Sequence, residues 1–233
     1  MTVRRRCPLI AVTGTGTGVG KTYASSVLLR AWARHGPAVG YKPVETGVPA
    51  GREGADARIL RTSSSCPARL PPSETFEAPL SPHLAAALEG RSPRISLIIH
   101  RIAELRRRSF GVLIELAGGL FTPLTLRTRN ADLLVKLDPT AIVAVAPDRL
   151  GVLHDVGALV AGAAYVGIRI SGLVLSAPAR GDRSTGTNAN EIELLTTVPL
   201  LLTLERRRAP LAAPTPEVDD VLAALLRGRA LKR

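Results

Sequence analysis

Aromatic residues are scarce: Phe, Trp and Tyr together make up 3% of the 233 residues. The stacking platforms that hold single strands or RNA are therefore nearly absent. Cysteine occurs twice, as Cys7 and Cys66, too few for a disulfide framework or a thiolate metal cage. Long apolar runs are missing too. The longest, Val156 to Ile168, falls short of the roughly 18–20 residues that span a bilayer and is interrupted by Gly157, Gly162 and Gly167. The basic run Arg4–Arg6 precedes an apolar stretch that stops at Val12, which leaves no secretory h-region. No membrane association and a cytoplasmic location are the expectation. Lysine is rare, confined to Lys21, Lys42, Lys136 and Lys232, so arginine carries the formal net charge of +12. The clusters Arg4–Arg6, Arg106–Arg108 and Arg206–Arg208 fall at the terminus or at element ends, without interleaved aromatics. Such charge attracts anionic ligands but makes a poor nucleic-acid footprint.

What is present is an ordinary globular composition, 45% apolar and 21% charged. A chain of this length accommodates one domain, 1–233, with a proper core. The most informative stretch is Leu9 to Thr22. Leu9 to Val12 has the length and composition of a buried strand. Alternating glycines and threonines follow, then Lys21-Thr22 and a helical segment, Tyr23 to Arg34. Glycines let successive backbone N–H groups turn inward on an anion, and the helix start adds its positive dipole end. Lys21 supplies charge to the outer phosphates, and the Thr22 hydroxyl suits a magnesium ligand. This is a P-loop for a nucleoside triphosphate, in a variant form with Thr15 where the usual spacing has glycine.

Further along, Ala38 to Tyr41 predicts a second strand delivering Lys42 at its carboxyl end, the edge where open α/β sheets bind ligands. Asp56 begins a helix, Ala55 to Arg61. Pro67 to Pro82 reads as irregular, with Ser81 as the cap of a helix Leu84 to Glu89. Ile95 to Arg108 has helical apolar spacing. Gly111 to Leu116 predicts a buried strand that ends on Glu115, where a magnesium-facing carboxylate is expected. A helix Ala131 to Lys136, a core strand Ala141 to Ala146 and a small-residue helix Val152 to Tyr165 follow. That helix suits burial on two faces, one against a second subunit. Strands Ile168 to Leu175 and Val198 to Leu202 flank a polar loop, Ser176 to Thr187, and a helix, Asn188 to Thr196, with Thr187 as a cap. Arg206 to Pro216 reads as loosely ordered and Glu217 to Leu226 as a terminal helix. The alternation predicts an α/β fold, P-loop NTPase-like, with a mostly parallel sheet and helices on both faces.

Four segments stand together in one family's order and spacing. They are Gly14-Thr-Gly-Thr-Gly-Val-Gly-Lys-Thr22, Gly40-Tyr-Lys-Pro-Val44, Ala78-Pro-Leu-Ser-Pro-His83 and Glu115-Leu-Ala-Gly-Gly-Leu-Phe-Thr-Pro-Leu124. From about Leu9 to Leu204 the chain resembles dethiobiotin synthetase, a Mg-ATP-dependent cyclo-ligase of biotin biosynthesis. The resemblance implies that 7,8-diaminopelargonate takes up carbon dioxide or bicarbonate as a carbamate, which ATP activates for ureido ring closure. It implies that Lys21, Lys42, Thr17 and Thr46 serve the transferring phosphate and carbamate. It implies that Thr22, Asp56 and Glu115 hold Mg2+, and that Gly16, Thr17, Gly18, Val19, Gly20, Lys21 and Thr22 bind the nucleotide with Glu115, Leu116, Ala117 and Gly118. Ser176 sits where many members have a base-reading Asn. It further implies a homodimer in which the partner's helix start near Gly151–His154 meets the substrate carboxylate.

The chain departs from the family at Ser176, at Leu202-Thr203-Leu204-Glu205 in place of Gly-x-Ile-Pro, at Gly18 in place of an acid, and at Thr46 in place of Ser. The first two bear on base recognition and leave the triphosphate chemistry alone. Two rival readings share the P-loop. Amidoligases of the superfamily are longer and carry a glutaminase region, for which 233 residues leave no room. A ParA/MinD-like ATPase switch, binding DNA or membrane, carries a signature lysine where Thr15 stands, although the basic helix from Val218 to Arg233 would suit a membrane surface.

Overall fold

A computed structural model of the chain describes residues 7–66, 70–205 and 215–227. The runs Arg4–Arg6 and Arg206–Arg208, the start of the Pro67–Pro82 stretch, most of Arg206–Pro216 and the tail after Arg227 lie outside them. The sheet has six strands: β1 (Leu9–Gly14), β2 (Ala38–Tyr41), β5 (Gly111–Glu115), β6 (Ala141–Pro147), β7 (Gly172–Ser176) and β8 (Leu200–Leu204). Their order is β2-β5-β1-β6-β7-β8, and every pairing is parallel.

Alternation along the strands explains the layers, because successive side chains point to opposite faces. On β1, Leu9 and Ala11 join one apolar cluster while Ile10 and Val12 join the other. Val112 and Ile114 of β5 divide from Leu113 in the same way. One face is covered by α4 (Ile95–Arg108), α5 (Asn130–Leu137), α6 (Val152–Tyr165) and α7 (Asn188–Leu195). The other is covered by α1 (Lys21–His35), α2 (Ala55–Ser63) and α8 (Pro216–Leu226). Helices therefore flank both faces, as expected. The apolar face of α8, Val218, Val221, Leu222 and Leu225, is spent in the core, so it is not presented to a membrane surface. No helix among the described residues is long and apolar enough to cross a membrane.

Four expectations need correcting. The Pro67–Pro82 stretch contains a strand, β4 (Glu74–Phe76), paired in parallel with β3 (Val44–Thr46) as a separate two-stranded sheet. Three-residue strands are too short to show a period. The strand expected from Ile168 begins only at Gly172, because the Ser171 hydroxyl accepts the Ile142 N–H of β6 and replaces a ladder bond. The last strand starts at Leu200 rather than Val198, since Val198 N–H is taken by Thr196 Oγ1 and Pro199 has none to give. Ser81 and Thr187 do occupy cap positions, at the start of α3 (Pro82–Leu88) and of α7, but neither side chain caps. The Ser81 hydroxyl pairs with His83 Nδ1, and the Thr187 hydroxyl donates to Ser184 O.

The outer edge of β2 is covered by the end of α2. Ser65 Oγ accepts Ala38 N–H and Ser64 Oγ accepts Gly40 N–H, both at 2.8 Å, and Ser65 N–H returns a bond to Ala38 O.

Candidate active site

The P-loop runs from the end of β1 into α1. Two of its glycines take left-handed backbone, Gly18 at φ 73° and Gly20 at φ 93°, which other residues reach only at a cost of about 1–2 kcal/mol. Lys21 folds back so that Nζ donates to Gly16 O at 2.6 Å. Burial, and then the charge of Lys42, draw the Lys21 ammonium down to about 8 against the opposing pull of Glu115 and Asp56. A neighbouring anion would oppose this effect of burial.

Beneath the loop four side chains converge from four elements. Thr22 lies in the first turn of α1, Lys42 follows β2, Asp56 lies in the first turn of α2, and Glu115 ends β5. Thr22 Oγ1 lies 2.8 Å from Asp56 Oδ1 and 2.9 Å from Glu115 Oε1. Lys42 Nζ donates to Asp56 Oδ2 at 2.8 Å and to Glu115 Oε1 at 2.6 Å. Burial works against charge on Lys42, but Glu115 and Asp56 together outweigh it and raise its pKa. Asp56 loses solvent too, yet Lys42, Thr22 and Lys21 bring its carboxyl below the usual range.

Glu115 is wholly buried, and its second oxygen, Oε2, has no hydrogen-bond partner. An acceptor left bare in the interior costs about 1–3 kcal/mol, which a cation would offset. Among the described residues no three His, Cys, Asp or Glu side chains form a metal cage. Magnesium does not need one, since it takes one or two carboxylates together with phosphate oxygens. Two carboxylates and a hydroxyl beside a phosphate loop are a fitting donor set.

Thr17, Gly18, Gly20, Thr46, Ala117 and Gly118 line the same cleft, about 800 Å³ in volume. Val19 and Leu116 instead turn their side chains into the core, and the Leu116 N–H is bound to Val12 O. Ser176, at the end of β7, packs against the P-loop: a Cβ on Gly20 would collide with its side chain. A second cavity of about 420 Å³ shares Thr17 and Thr122 with the cleft and is lined on its far side by His154 and Asp155 of α6. The α6 start at Gly151 has left-handed backbone and no side-chain cap.

Residues 9–211 match the family described as AAA domain. The ATP-dependent dethiobiotin synthetase BioD of Anaeromyxobacter sp. (strain K) is 40% identical over 189 residues, covering 79% of this chain and 84% of that one. This chain belongs to the dethiobiotin synthetase family. The Rhodopirellula baltica dethiobiotin synthetase is 34% identical over 220 residues, covering 87% of this chain and 86% of its own. Among solved structures, pNOB8 ParA bound to nonspecific DNA aligns over 95% of this chain and 98% of its own with a TM-score of 0.59 and 12% identity. That likeness is one of fold alone.

Three side chains that support this dethiobiotin synthetase site went unseen in the sequence. Asn130, wholly buried at the start of α5, donates from Nδ2 to Ala117 O at 2.7 Å and Gly119 O at 2.8 Å, and Thr122 Oγ1 accepts Gly119 N–H at 2.8 Å. Together they hold the loop after Glu115. Glu45, between Val44 and Thr46, accepts Asp56 N–H at 2.8 Å and Ala57 N–H at 3.0 Å. Burial raises its pKa despite these two donors. The partners of Asn130 and Glu45 are backbone groups 11 to 13 residues away, which no residue pattern marks.

Proposed function

We propose that this chain closes the ureido ring of dethiobiotin from 7,8-diaminopelargonate, carbon dioxide or bicarbonate, and ATP. The convergence of Lys42 with Thr22, Asp56 and Glu115 under a P-loop is the observation that carries the reading. One amine of the substrate adds to carbon dioxide and loses a proton, giving a carbamate. A carbamate oxygen attacks the γ-phosphorus as ADP leaves, giving a mixed carbamic–phosphoric anhydride. The second amine then attacks the carbonyl carbon, phosphate departs with the electron pair, and a proton is released. No protein nucleophile is required; positioning and charge stabilisation suffice.

In this reading Lys42 and Lys21 place positive charge at the carbamate and the transferring phosphoryl group. Thr17 and Thr46 orient the carbamate and phosphate oxygens. The main chain of residues 16–22 and 115–118 encloses the phosphates, and Ser176 lies on the side of the base. Thr22, Asp56 and Glu115 would hold Mg2+, which supplies charge neutralisation on the triphosphate when bound. The reaction needs only soluble substrates, in keeping with a cytoplasmic enzyme.

The test is direct. With diaminopelargonate, bicarbonate, magnesium and each nucleoside triphosphate in turn, phosphate release is expected to depend on the diamine and to equal ring product formed. Hydrolysis indifferent to the diamine, or stimulated by DNA or lipid, would overturn the reading. The comparison across nucleotides reports the base preference of the site.

The chain is proposed to act as a homodimer in which the uncapped α6 start near Gly151–His154 of one copy receives the substrate carboxylate bound to the other. A helix N-terminus suits an anion. Sedimentation at twice the chain mass is expected, and a monomer that retains full activity would refute it.

A further inference from the structure

Asp56 can reach Thr22 and Lys42 only if the first turn of α2 is held in place, and the turn does not hold itself. Its cap position is Gly54, which has no side chain to offer the unpaired N–H groups that follow. Those groups, Asp56 N–H and Ala57 N–H, are bound instead by the two oxygens of Glu45, one each. They belong to the second and third residues of the helix, the positions a local cap side chain ordinarily serves. Glu45 thus caps a helix from another element, with a negative charge at its positive end.

Gly54 carries independent evidence for this contact. Its backbone, at φ −63° and ψ 149°, is open to any residue. Space is what favours glycine, since a Cβ there would overlap the Glu45 carboxylate in the position from which it binds α2. Glu45 is itself fixed, because it is the middle residue of β3 and pairs with Thr75 of β4. A mechanical chain runs from the two-stranded sheet through Glu45 to the start of α2, and from there to the Asp56 carboxylate. Both Glu45 oxygens accept a backbone N–H of α2, the contact a support requires.

We propose that Glu45 is a positioning residue that sets the Asp56 carboxylate for the magnesium of the bound triphosphate. The inference rests on the reading of Asp56 as a metal ligand given above. Partners that orient ligands in this way are worth about 10–100-fold in metal affinity.

Calorimetry of ADP binding with and without Mg2+ tests it, alongside amide hydrogen exchange of the nucleotide-free protein. Glu45→Ala is expected to weaken the Mg2+-dependent part of ADP binding by about tenfold and leave metal-free ADP binding unchanged. Exchange at Asp56 and Ala57 is expected to accelerate selectively. Glu45→Gln, which keeps one acceptor oxygen, should lose less. Gly54→Ala, which keeps the charge but displaces it, should shift in the same direction as Glu45→Ala. The last two carry the test if Glu45→Ala does not fold. Asp56→Asn distinguishes loss of the metal ligand from loss of its positioning. If it leaves the Mg2+-dependent binding unchanged, the metal reading fails. If it weakens that binding while the Glu45 and Gly54 variants do not, or while they weaken metal-free binding equally, the positioning role alone is overturned.

Discussion

Lys42→Gln is expected to abolish ring closure, with turnover down on the order of 10³-fold, while the sheet stays folded. The lysine is 4% exposed and touches two carboxylates, Asp56 at 2.8 Å and Glu115 at 2.6 Å. Burial works against its charge, and the two carboxylates outweigh burial and raise its pKa. Glutamine keeps a hydrogen-bond donor, on a stem one atom shorter, but delivers no charge to the carbamate or the migrating phosphoryl group. It also leaves Asp56 and Glu115 facing each other uncompensated. Removing one partner of a buried ionic group costs about 3–5 kcal/mol, so urea unfolding should show a lower midpoint with an unchanged slope. Diamine-dependent turnover near the original rate in this variant would refute the role assigned to Lys42.

Glu115→Gln is expected to move a different quantity. The side chain is fully buried at the end of β5, with Oε1 shared between Thr22 and Lys42 and Oε2 facing no donor. The amide keeps the shape and removes the charge a divalent cation would meet. The magnesium concentration for half-maximal activity should rise by at least 10–100-fold, roughly what even an outer-shell partner is worth. Part of the turnover should return at high magnesium, unlike in Lys42→Gln, where added metal replaces no catalytic charge. A magnesium titration that superimposes on the parent's would remove Glu115 from the metal site. The two variants together separate charge delivered to the reacting group from charge that holds the ion.

The strands that carry this site were readable as short, wholly apolar runs of strand length. The structure shows why no polar residue interrupts them: Leu9 to Val12 and Val112 to Ile114 are buried on both faces of the sheet. Lys42, Glu115 and the P-loop were readable because parallel α/β architecture brings strand carboxyl ends to one edge. Contacts that depend on where distant backbone lies were not readable. Glu45 looks like any polar strand residue until α2 is seen to begin against it, and Asn130 looks like a helix start until its amide is seen on two carbonyls. The β3–β4 pair fails for a simpler reason, as three residues cannot establish a period.

The serines at the end of α2 have a further meaning for how copies of the chain can meet. A short outer strand with bare N–H groups is a template on which a second chain can lay a strand of its own, the first step toward runaway polymer. Here Ser64 and Ser65 already occupy the positions such an invader would need along β2. Growth of the sheet is blocked at that margin by the chain's own hydroxyls, and any encounter of two molecules on that side must proceed through helices and loops.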